Sequence, residues 1–228
     1  MTSVVEPQKK APTGQTEGKF AEAIEGVVTL PLAEVKEKRY GETERGQVNK
    51  ATFVRVDYAG DLEEAINRQI DFEMNLGYVF LAMGAYFDRD TVALPGISKF
   101  FRCMSEREFG DGEKFAAFQN MRGGRVQLMA LPMPDSDYNA EKGDALYAFE
   151  LALALQKLNM DKLKACHSLA DKSDDFQAQD FLEDELSAQA KVVKELGDYV
   201  CELKRVGKGH GVFHFDERID EGGLTAAA

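Results

Sequence analysis

Five residues that carry side-chain oxygen fall where a helical chain would place apolar groups: Glu73, Glu108, Asp111, Gln156 and Gln189. Each lies on a seam of 3-4 spacing, the signature of a buried helix face. The first seam reads Ile66, Ile70, Glu73, Gly77, Phe80, Gly84, Phe87, and the second Ile97, Phe101, Met104, Glu108, Asp111, Phe115, Phe118. The third reads Leu146, Phe149, Leu153, Gln156, Met160, Leu163, and the fourth Leu182, Leu186, Gln189, Val193, Leu196, Val200. An unpaired carboxylate buried in this way costs several kcal/mol, so it is protonated, paired or bound to a metal. Four interruptions at matching depth predict that they meet. Oxygen-only donors suit hard cations such as iron, manganese, magnesium or calcium. The alternative is a hydrogen-bonded polar layer that fixes helix register without a metal.

The elements that must hold these residues follow from periodicity and chain breaks. Helical spacing begins at Asp61 and runs through "DLEEAINRQIDFEMNLGYVFLAMGAYFDRD" until "VALPG" breaks it. A second helix is predicted from Ile97 to Met121, stopped by "RGG". A stretch of about 20 residues with two prolines and little helical period follows, long enough to cross a bundle from end to end. Helices from Ala145 to Ala170 and from Asp175 to Val206 come next, and "VFHFDERID" predicts a short fifth. The fold class is therefore all-α: a four-helix bundle with a long crossover between helices 2 and 3 and a short C-terminal helix. Residues 1–60 read as an N-terminal extension, partly disordered, 61–206 as the bundle and 207–228 as a short helix and tail. Gly110 and Gly112 sit inside the second helix at a cost of roughly 1 kcal/mol each against alanine, which predicts local mobility beside the polar layer.

Composition narrows the function classes. Apolar residues at 44% support a globular core, and 28 basic against 40 acidic residues give a net charge of −12. That balance argues against a nucleic-acid partner and fits cation handling or plain solubility. The longest apolar segment, "YVFLAMGAYF", is about half the ~18 residues a membrane span needs, so no membrane partner is expected. The first residues have no apolar centre and are not Arg-rich, unlike a secretory or transit signal. Cys103, Cys166 and Cys201 are unclustered, which predicts a reducing compartment.

The chain resembles plant and algal ferritins over about Gly26 to Gly223. The resemblance rests on "EAINRQIDFEMNLGYVFLAMGAYFDRDTVALPG", "FQNMRGGRVQL", "EKGDALYAFELALALQKLN" and "LKRVGKGHGVFHFD". "GVVTLPLAEVKEK" is similar to the extension that plant ferritins carry ahead of the bundle. The resemblance implies a hollow cage of twenty-four subunits storing ferric mineral, with Fe(II) oxidised inside each bundle by side chains that project inward from facing helices.

Carried over by position, the resemblance assigns Glu73, Glu108 and Asp111 to a first iron position, with aspartate where the family has histidine. Glu108, Gln156 and Gln189 take the second position, with Gln156 replacing a glutamate. A tyrosine usual near the site is Phe80 here, with Tyr78 two residues away. The implied site is asymmetric, with one metal held more tightly and paired-iron oxidation weakened. Asp180 and Glu183 match acidic residues of three-fold entry channels, and His167 matches a histidine near them. Between Glu183 and Gln189 the chain is one residue shorter than the family, so the helix either displaces one group or absorbs the change. The inner-wall mineral patch keeps Glu106 and Glu113, while Arg107 and Gly110 replace acids. His210 and His214 are expected in surface or packing roles. The expected function is an iron-storage cage subunit with a weakened ferroxidase site. Alternatives are a non-catalytic subunit served by a second ferritin subunit in a mixed cage, or a protective shell. A plastid location is implied, with the cytosol as alternative.

Overall fold

The computed structural model describes residues 52, 54–138 and 141–222, and the expectations for residues 1–51 and for the last residues of the tail lie outside this range. Five helices follow in order: α1 (Gly60–Phe87), α2 (Pro95–Met121), α3 (Asp144–Lys172), α4 (Phe176–Val206) and α5 (His210–Gly222). No strand occurs among the described residues, and no helix there is long and apolar enough to cross a membrane.

The helix limits trace to local chemistry. Pro95 stands in the first turn of α2, where its missing N–H costs nothing. Asp175 caps α4, its side chain accepting from the Ala178 N–H at 3.1 Å. Gly207 ends α4 at φ 67°, in the left-handed region that favours glycine. Gly96 lets α5 approach α2, because a Cβ there would stand 2.0 Å from the Asp216 carbonyl oxygen. Asp216 uses that closeness to accept the Ile97 N–H through Oδ1 at 2.7 Å.

α1 packs along α2 and α3 along α4, α3 also meets α1, and α5 rests on α2 and α4. The segment between α2 and α3 is strung along α1. Asn67 bonds the Arg125 carbonyl and the Gln127 N–H, Asp71 accepts the Met129 N–H, and Arg89 holds Ser136 and Asp137. Helical rise from Asn67 to Arg89 is about 33 Å, and an extended chain from Arg125 to Asp137 reaches about 40 Å, so an almost straight run suffices. α3 therefore starts beside the C-terminal end of α1 and runs parallel to α2.

Two apolar clusters fill the bundle. One holds Leu76, Phe80, Phe87, Phe101, Phe149 and Leu196. The other holds Leu62, Ile66, Ile70, Phe115, Leu163 and Leu182. Two predicted seams shift slightly. The buried face of α3 runs through Ala145, Phe149, Ala152, Gln156, Asn159 and Leu163, leaving Leu146, Leu153 and Met160 at its margin. Alanines at the centre of that face let α3 approach its neighbours closely, and the larger leucines drew the seam toward themselves. On α4 the valine buried between Gln189 and Leu196 is Val192 rather than Val193.

α4 is continuous α-helix from Phe176 to Val206, so the shortening expected between Glu183 and Gln189 corresponds to no break in it. Gln189 is buried and Glu183 exposed on that single helix. α2 likewise runs through Gly110 and Gly112 without interruption. At Gly112 a Cβ would stand 2.8 Å from Met74 Cε, whereas nothing lies within 4 Å at Gly110.

Candidate metal site

Glu73 from α1 and Glu108 from α2 are each 2% exposed, Gln156 from α3 is fully buried, and Gln189 from α4 is 6% exposed. Their hydrogen bonds join all four helices. Gln189 Nε2 donates to Gln156 Oε1 at 2.5 Å and to the Gln156 carbonyl at 2.8 Å. Gln156 Nε2 in turn donates to Glu108 Oε1 at 2.8 Å. The amides thus form a relay ending on a carboxylate.

Glu73 has its own pair of amide donors. Gln69 Nε2 donates to Glu73 Oε1 at 2.6 Å and to Asn159 Oδ1 at 2.6 Å. Asn159 Nδ2 completes the ring by donating to Glu73 Oε2 at 3.1 Å. Sequence reasoning missed Gln69 and Asn159. Gln69 stands four residues before Glu73, and Asn159 three after Gln156, so helical spacing places each beside a residue already singled out. Asn159 was hidden by the leucine-biased reading of α3.

Burial raises the carboxyl groups of both Glu73 and Glu108. For Glu73 the bonds to Gln69, Glu108 and Asn159 oppose that rise; for Glu108 the neighbouring Glu73 charge adds to it. Two carboxylates in contact in a low-dielectric interior share a proton more readily than they ionise together. Among the described residues no buried side-chain nitrogen or oxygen lacks a hydrogen-bond partner, so the layer is saturated by its own members.

Asp111 is turned to the edge of the site. Its side chain is 14% exposed, with Oδ1 2.6 Å from Lys114 Nζ and Oδ2 3.6 Å from Arg107 Nε. Glu185 of α4 lies within electrostatic reach of Lys114, Asp111 and Arg107, and burial raises its carboxyl. Lys114 and Glu185 are further members of the site margin that the sequence did not single out. Among the described residues no group of three or more His, Cys, Asp or Glu side chains stands close enough together to hold a metal ion.

Phe80 is fully buried and stacks on Phe101, with ring centroids 6.1 Å apart. Tyr78 does not stand in for the absent phenol, since it is 36% exposed on α1. Away from the bundle interior, His167 Nε2 approaches Glu183 Oε1 at 3.3 Å, and Asp180 is exposed one turn before Glu183. Glu106 and Glu113 are exposed on α2, and His210 and His214 on α5.

The donor set is chemically suited to Fe(II) as a substrate. Carboxylate and amide oxygens are hard donors, and a divalent cation neutralises a buried pair that is otherwise forced to keep a proton.

A sequence model described as the ferritin-like domain matches residues 63–206. The chain is 48% identical over 206 residues to Ferritin-3, chloroplastic, of Glycine max, covering 89% of this chain and 79% of that one. It is 48% identical over 198 residues to Ferritin, chloroplastic, of Malus baccata var. xiaojinensis, covering 86% and 78%. The crystal structure of ferritin from the multicellular green alga Ulva pertusa superposes with TM-score 0.74 at 42% identity, covering 84% of this chain and 98% of that one. A bundle with an end-to-end crossover, a buried Glu73–Glu108 pair and these matches agree: the chain belongs to the ferritin family.

Proposed function

We propose that this ferritin is an iron-storage cage subunit that takes up Fe(II), oxidises it within the bundle at a weakened site and stores the ferric product. The observation that carries the reading is the burial of two carboxyl groups, Glu73 and Glu108, in one layer of amides where the four helices meet, a pair that a divalent cation would relieve. In the oxidation two Fe(II) each lose one electron to O2. With two protons from water, O2 leaves as hydrogen peroxide while the ferric ions hydrolyse to mineral and release protons. Glu73, Glu108 and Asp111 hold the first iron; Glu108, Gln156 and Gln189 offer the second a single carboxylate. Gln156, engaged as donor to Glu108 and acceptor from Gln189, supplies no charge there. Asp180, Glu183 and His167 serve at cation-entry channels of a twenty-four-subunit cage. The chloroplastic relatives support a plastid location.

A second reading, a non-catalytic subunit working beside a more active one, is favoured by one observation: the Asp111 carboxylate is engaged by Lys114 and Arg107. Stopped-flow absorbance after mixing a few Fe(II) per subunit with oxygen separates the two. A rapid transient followed by ferric product supports oxidation in this chain. A slow featureless rise, no faster than in Glu108→Ala, Asp111→Ala protein, supports the non-catalytic reading. Iron content after expression in iron-rich medium tests storage itself; an iron-free cage would leave only the shell.

A further inference from the structure

The margin of the site carries two acids and two bases of opposite charge. Asp111 and Arg107 come from one turn of α2, Lys114 from the next, and Glu185 from α4. Both Asp111 oxygens already face a cation, Lys114 at 2.6 Å and Arg107 at 3.6 Å. The two cations are not equivalent. The Arg107 side chain is 19% exposed, whereas that of Lys114 is 59% exposed and makes the closer contact. A long side chain anchored at one end and mostly in water changes rotamer in nanoseconds or less. Glu185, on the α4 helix, adds a second acidic charge within electrostatic reach of the ammonium.

We propose that Lys114 is a resident counter-cation that latches Asp111 away from the Glu73–Glu108 pair, so that an incoming divalent cation must exchange with it, the displaced ammonium passing to Glu185. This deepens the proposed function and rests on it. Lys114 is a positioning residue: it sets how tightly the first metal binds without touching it. The latch accounts for the lack, among the described residues, of a three-carboxylate cluster despite a suitable donor set, because the third carboxylate is engaged elsewhere until a stronger cation arrives. It also keeps the margin electrically neutral in the iron-free protein, where a third unpaired carboxylate beside two buried ones would be destabilising.

Calorimetric titration of the iron-free assembled protein with Co(II), which air does not oxidise under these conditions, tests the latch. Lys114→Met is expected to tighten binding at the intra-bundle site roughly three- to tenfold, the modest size reflecting solvent screening of the lysine. Added salt should narrow that gap. In the Asp111→Asn background the same substitution should change nothing, a cycle that removes any general effect on the helix. Glu185→Gln should weaken binding a few-fold. Equal Co(II) affinity in wild type and Lys114→Met, with affinity abolished by Glu73→Gln, Glu108→Gln, would overturn the latch and leave the site standing. An unchanged titration in Glu73→Gln, Glu108→Gln would overturn the site and the latch together.

Discussion

Among the described residues, two places in the bundle bury a pair of acidic or basic side chains side by side, and they resolve the cost in opposite ways. Where α2 ends and α4 begins, Arg122 and Asp175 form a two-bonded pair, Nη1–Oδ1 at 2.6 Å and Nη2–Oδ2 at 2.8 Å. Asp175 also caps α4, the Arg122 guanidinium lies 4.9 Å from the Tyr58 ring centroid, and Tyr58 donates to Gln119 at 2.5 Å. Every charge there has its opposite. At mid-bundle Glu73 meets Glu108, another carboxyl; their hydrogen-bond donors are neutral amides, and the nearby charge of Asp111 has the same sign. The first arrangement is complete in the protein alone. The second satisfies its hydrogen bonds by keeping a proton on the carboxyl pair, and a proton is what a divalent cation can displace.

The comparison is broken most forcefully at the complete pair. Arg122→Met leaves Asp175 buried without a counter-charge, and urea denaturation should record a loss of about 3–5 kcal/mol. Glu108→Gln at the other place should act with the opposite sign. Replacing a carboxyl that burial forces to hold a proton with an amide that needs none, while keeping an acceptor for Gln156, should stabilise the iron-free protein by about 1–2 kcal/mol, seen as a higher Tm. The same protein should lose Fe(II) binding; a fall in Tm would mean the pair is stabilising and the contrast mistaken. The smallest effect concerns the helix beside the site. Gly110 has open space around its Cα and stands in regular helix, so Gly110→Ala should add about 1 kcal/mol. A loss of stability there would show that α2 depends on a glycine at this position.

Much of this was legible in the sequence, and the reasons for the rest are specific. The helices appear within a few residues of their predicted limits because Pro95, the "RGG" stop and Gly207 act through the backbone alone. The inward placement of Glu73, Glu108, Gln156 and Gln189 follows from spacing. What spacing does not encode is a choice among partners. Asp111 lies on the predicted seam, yet its carboxylate turns to Lys114 and Arg107, an outcome decided by rotamers and neighbouring charge. Glu185 escaped because its partners stand on another helix. Asn159 escaped because leucines outweighed alanines in locating the buried face of α3.

The crossover along α1 has a consequence for how the molecule comes into being. It divides the chain into two helical hairpins, α1 with α2 and α3 with α4, each closed by a short connection. Glu73, Glu108 and Asp111 all belong to the first hairpin; Gln156, Asn159 and Gln189 all belong to the second. Short loops close at lower entropic cost than long ones, so each hairpin can form while its polar groups still face water. Docking of the halves is then the step that strips water from the carboxylates and adds the Gln156 and Asn159 donors to the Gln69 donor already present on α1. A newly made chain therefore has no finished carboxylate–amide layer until its last large folding event, and whatever cation the layer takes must wait for the structure that encloses it.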